Sequence, residues 1–111
     1  MLASLLPFSL LNKAARSHLI FPYYHLVSDK KNIPHVKHLF NHRNVNEFKK
    51  DIDFFLQNYS SLELMDLIKS TKEHKTLPKD CFLLTFDDGY REIYDIVAPI
   101  LKNKGVPAIF F

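Results

Sequence analysis

Glycine is scarce in this chain of 111 residues: Gly89 and Gly105 are the two it has. Motifs built on several glycines, such as the loops that cradle nucleotide phosphates, are therefore excluded. Cysteine is rarer still. A lone Cys81 cannot form an internal disulfide, and its apolar surroundings make it a buried thiol. Long basic runs are missing too. The net charge of +3 comes from scattered positions such as Lys30-Lys31, Lys49-Lys50, Lys72, Lys75, Lys102 and Lys104. That spread describes a solvated surface and argues against a nucleic-acid partner. The sequence holds no internal repeat or low-complexity tract. What it does hold is apolar: 47% hydrophobic residues and 14% aromatic, with ten Phe and five Tyr. This suits one packed domain, not two.

The opening stretch, MLASLLPFSLLNKAARS, is apolar, with its first basic residue at Lys13. A secretory leader carries its positive charge before the apolar run, and here it comes after. Pro7 interrupts a run already too short to span a bilayer. The expectation is an ordinary helix or strand packed on the body. A poor leader or an interfacial segment is the alternative. No transmembrane segment is expected, and the compartment, cell envelope or cytoplasm, stays open.

IFPYYHLV (20–27) is apolar and β-rich and predicts a strand. The polar stretch 28–42, with Pro34, predicts a long loop. Over 44–59, Val45, Phe48, Ile52, Phe55, Leu56 and Tyr59 fall on one helical face. Asn44 can cap that helix, with Glu47 three residues on as in a capping box. A short second helix is expected over 61–70 with Leu64, Leu67 and Ile68 inward, then a polar connector over 71–80. CFLLTF (81–86) is an apolar run without alternation, as in a strand buried on both faces. After the turn DDG, residues 90–104 show helical spacing, with Pro99 as a kink and Gly105 as the C-terminal stop. VPAIFF (106–111) predicts a second strand. Strand, helix and strand within about thirty residues make a βαβ unit with parallel neighbours.

The apolar run 81–86 ends in Asp87 and Asp88. Sites in parallel α/β folds form at this end of a strand. Adjacent carboxylates repel and are costly beside apolar surface unless a cation or proton compensates. At a turn, one can bind a metal while the other faces water. That division suits metal-assisted hydrolysis. The plainer reading is that Asp87 caps the following helix and Asp88 fills its first turn. A nucleotide site of the kind that ends a strand in acidic residues needs an upstream glycine-rich loop, which is absent.

TFDDG (85–89), followed by GVPAIFF, resembles the first motif of the polysaccharide deacetylase family, the NodB-like group also called carbohydrate esterase family four. FPYYHLVSD and NVNEFKKDIDFFLQNYSSLELMDLI are similar to the segment that precedes this motif in many bacterial members. The resemblance implies an α/β fold, the N-terminal part of a distorted (β/α) barrel, truncated after its first βαβ unit. Residues 1–78 would lead into the barrel and 79–111 would begin the deacetylase domain. It further implies removal of acetyl groups from a polysaccharide or oligosaccharide substrate. Asp87 would be the catalytic base and Asp88 a ligand of a divalent metal, zinc. His25, in the YYH segment, would support the site, or else be a hydrogen-bonded histidine at a strand end.

The family completes its metal site with an H-[ST]-x-x-H motif after TFDDG, and this sequence contains none. A whole (β/α) barrel also takes roughly 200 residues or more. The expectation is an incomplete deacetylase, inactive as this piece, with a sheet edge at Phe110-Phe111 prone to association. His35, His38 and His42 offer a competing cluster, with His38 and His42 spaced to share a helical face. They lack the Ser or Thr and precede TFDDG, so they read as polar loop histidines. Two other readings remain: a non-catalytic remnant that binds carbohydrate or a partner, and a plain structural fragment.

Overall fold

The computed structural model describes residues 19–34 and 41–111. The expectations placed on the N-terminal run, on His35 and on His38 lie outside those residues. The strands are β1 (Leu19–Ile20), β2 (Tyr23–Tyr24), β3 (Ser60–Ser61), β4 (Cys81–Phe82), β5 (Leu84–Phe86) and β6 (Ala108–Phe110). The helices are α1 (Val45–Asn58), α2 (Leu64–Glu73) and α3 (Ala98–Lys104), the last entered through a π-helical turn, Ile93–Val97. No helix of the described residues is long and apolar enough to cross a membrane.

All strand pairs are parallel, in the orders β1-β4-β3 and β2-β5-β6. β4 and β5 are two lengths of one run. The Leu83 N–H donates to the Ile20 carbonyl at 3.1 Å, Thr85 to Pro22 at 3.0 Å and Asp87 to Tyr24 at 2.9 Å. In a parallel ladder alternate residues bond to alternate sides. On the opposite side the Phe82 carbonyl accepts from Leu62 at 2.8 Å and the Phe86 carbonyl from Phe111 at 2.9 Å. β3 and β6 therefore share one edge of the central run, one after the other.

The central run is buried on both faces, as its unbroken apolar sequence predicts: Cys81 through Leu84 and Phe86 are all buried. Phe82, Leu84 and Phe86 pack with Phe48 and Ile52 of α1 and with Ile93, Val97 and Leu101 of the last helix. Cys81 and Leu83 face the other way, against Leu62, Leu67, Leu77 and Ile109. The Asn44 cap forms as expected: its side chain accepts from the Glu47 N–H at 2.8 Å, and Glu47 accepts from the Asn44 N–H at 2.9 Å.

Four local expectations are corrected. The strand over 20–27 is divided, because Pro22 has no N–H to donate; Val27 makes only an isolated bridge to Arg43. The helix expected from Ser61 gives way to strand at Ser60–Ser61. There they bond to the central run and deliver Leu62 into the core. The second helix accordingly starts later, with Leu64 turned outward, and Leu56 of α1 is exposed as well. The kink expected at Pro99 takes the form of a π turn. Pro99 cannot donate, and its ring crowds the carbonyl four residues earlier. The ladder widens ahead of it, and the Ala98 N–H reaches back to Ile93.

Candidate active site

Asp87 follows directly on β5, and its N–H is held by the Tyr24 carbonyl. The chain then leaves the sheet through two successive left-handed residues, Asp88 (φ 69°) and Gly89 (φ 54°). Aspartate is among the few side-chain-bearing residues that adopt this region with any ease. A Cβ on Gly89 would meet only ordinary contact, 3.9 Å from the Phe111 carbonyl, so it is the backbone angle that calls for glycine there. The Tyr90 carbonyl accepts from the Ile93 N–H at 3.0 Å and opens the next helix. Asp87 thus stands three residues ahead of the capping position, which removes the plainer reading of it as a helix cap.

His25 directly follows the neighbouring strand β2. Tyr24 pairs with Phe86 in the ladder, so the following residues, His25 and Asp87, emerge side by side. The His25 Nε2 lies 3.8 Å from Asp87 Oδ2 and 3.8 Å from Asp88 Oδ2. These separations are ion-pair distances and too long for hydrogen bonds. All three side chains are partly open to solvent: 34% for His25, 40% for Asp87 and 56% for Asp88. Water and a substrate can therefore reach the carboxylates. The Tyr23 ring stands edge-on to His25, with centroids 6.0 Å apart. The structure thus gathers the three residues that the sequence singles out. Among the described residues, no group of three or more His, Cys, Asp or Glu side chains is arranged to hold a metal ion. His42 is elsewhere, with its Nε2 at 2.8 Å from the Lys30 carbonyl.

One polar network beside the site escaped the sequence reading. Asp51 of α1 accepts from the Tyr24 hydroxyl at 2.9 Å and from Arg43 at 2.8 and 2.6 Å. Burial, and then the bond to Asp51, push the Tyr24 hydroxyl far above the ordinary tyrosine range. The Asp51 bond also raises Arg43. A signal was available: Asp51 sits between Phe48 and Ile52, at the margin of the buried face of α1.

Residues 74–111 match the polysaccharide deacetylase family. That stretch contains the deacetylase-like TFDDG, so the resemblance carried by the motif holds over this part of the chain. No curated protein matches the chain in sequence. Among solved structures, the chain is similar to a de-N-acetylase from Aggregatibacter actinomycetemcomitans, with 25% identity and a TM-score of 0.71, over 85% of this chain and 37% of that one. It is also similar to the deacetylase PplD of Streptococcus pyogenes, solved with acetate (21% identity, TM-score 0.67, 85% of this chain and 42% of that one). IcaB of Ammonifex degensii is a third, at 22% identity and TM-score 0.67, over 85% and 37%. The chain spans about two fifths of the length of these structures. The expected α/β fold, the N-terminal part of the deacetylase barrel, is the one found.

Proposed function

We propose that this chain carries the catalytic base and one metal ligand of a hydrolase that removes acetyl groups from a polysaccharide. The observation that supports this most directly is the meeting of Asp87, Asp88 and His25 at the C-terminal end of the buried strand. Two carboxylates and an imidazole are donors that suit zinc. They do not close a coordination set by themselves, as no three such groups among the described residues are arranged around an ion. Asp88 is the ligand assigned here, at the exposed corner of the turn. When bound, a divalent cation supplies Lewis-acid polarisation of the acetyl carbonyl and a lowered pKa for water.

The chain's own residues do the rest. Asp87 takes the proton of the water that attacks the acetyl carbon; the bond from that carbon to the sugar nitrogen or oxygen breaks, acetate departs, and the proton passes to the released sugar atom. The hydrogen bond that its N–H donates to the Tyr24 carbonyl fixes the backbone from which the carboxylate projects. Its partial exposure leaves room for that water. His25 faces both carboxylates, with its Nε2 at 3.8 Å from each.

The test is acetate release from N-acetylglucosamine oligomers by the complete protein. Asp87→Asn should lower kcat by about 10²- to 10⁴-fold, the usual worth of a positioned base, with zinc affinity retained. Asp88→Asn and chelation should each remove turnover through loss of the metal. Loss of zinc affinity in Asp87→Asn, with affinity retained in Asp88→Asn, would reverse the two roles. Oligosaccharide binding without metal or acetate release would favour a non-catalytic remnant.

A further inference from the structure

Tyr24 is held at three points. Its ring stacks on Phe86 with centroids 5.6 Å apart and stands edge-on to Phe48 at 5.2 Å. Its hydroxyl donates to Asp51, and its backbone carbonyl accepts the Asp87 N–H. Asp51 is itself fixed by the two nitrogens of Arg43, a fork geometry that sets both distance and plane. Arg43 in turn is bridged to Val27, and its carbonyl accepts from the Ser28 N–H at 3.0 Å. A closed frame results. It runs from α1 through Asp51 to Tyr24, then along the strand past His25 to Val27, and back through Arg43.

We infer that Asp51, clamped by Arg43, is a positioning residue for Asp87, acting through the hydroxyl and then the backbone carbonyl of Tyr24. The inference rests on the deacetylase reading above. Packing does not require this arrangement. The Tyr24 ring already fills the space between Phe48 and Phe86, and a phenylalanine would fill it equally. A carboxylate only 22% exposed, set against a part-buried phenol, costs desolvation that an apolar pair would avoid. What the polar pair adds is direction. A hydrogen bond at the tip of the ring fixes its tilt and leaves the strand little freedom to slide against α1. The residue so fixed is the one that bonds the amide of Asp87 and precedes His25. The phenol remains a donor through neutral and mildly alkaline pH, because burial and Asp51 both favour its protonated form.

The experiment compares Asp51→Ala, Asp51→Asn and Tyr24→Phe in the complete protein by kcat, KM and amide hydrogen exchange. A misplacement of the order of an ångström costs about a hundredfold in rate, so Asp51→Ala and Tyr24→Phe should lower kcat by about ten- to a hundredfold. KM should stay within about twofold of its starting value, since the substrate contacts are untouched. Asp51→Asn keeps an oxygen for the Tyr24 hydroxyl and should restore most of kcat. Exchange at the Asp87 amide should quicken in Asp51→Ala, while exchange at Leu83, bonded to Ile20 in the same ladder, stays unchanged. Equal quickening at both amides, or a loss of kcat that Asn does not rescue, would make Asp51 a structural residue only. A starting protein that releases no acetate defeats the deacetylase reading; exchange at Asp87 still decides whether Asp51 holds that amide.

Discussion

Asp88 sits at φ 69°, where a side chain crowds the backbone, and it does so at the end of a buried strand. Strain of this kind persists where something else requires the residue. Asp88→Gly should therefore raise stability to urea by about 0.5–1 kcal/mol, while zinc affinity falls in the complete protein. A variant less stable than the starting protein would show that Asp88 makes native contacts outweighing its strain. At this scale the meeting of Asp87, Asp88 and His25 was legible as a candidate site. Paired carboxylates after an apolar run are chemically conspicuous, and the YYH segment was identified by its resemblance. Asp51 was legible only as a polar residue at the margin of a buried helix face, because nothing local names the side chain that will reach it. Tyr24 and Asp51 are 27 positions apart, and no local pattern encodes their meeting.

The elements were legible where one face decides the structure. The first helix announced itself through its capping box, and Asn44→Ala should cost about 1 kcal/mol in urea unfolding, most of it regained by Asn44→Ser. The β3 segment was hidden, because Ser60 and Ser61 carry no strand preference of their own. They are extended because the central run offers them carbonyl partners and Leu62 needs burial beside Cys81 and Leu83. The π turn ahead of Pro99 was half legible. Proline announces a disturbed ladder, but whether the helix bends or widens depends on what packs against it. Here Ile93, Val97 and Leu101 all reach the core across the widened turn.

For the whole molecule, pH gives a measurable consequence. Tyr24, Tyr59 and Cys81 all have folded pKa values raised by burial. A raised group holds its proton in the folded state after the unfolded chain has lost it. Its stabilising share is present below the unfolded pKa and is lost as pH rises through the folded one. Stability should fall as pH climbs past about 8.5 for the thiol and about 10 for the phenols. Tyr24→Phe should flatten the upper part of that decline, and an unchanged slope would assign it to other groups.

The central run bonds on both sides to segments distant in sequence; Thr85 and Pro22, joined by a hydrogen bond, are 63 residues apart. During synthesis this fixes an order of events. β1, β2 and β3 all leave the ribosome before the strand that pairs with them, so for several seconds, at about 5–20 residues per second, they have no ladder to join. The first helix, local and capped, can form in that interval. The sheet cannot. The two aspartates are thus made at the moment the sheet becomes possible, and His25 waits some sixty residues of elongation to meet them.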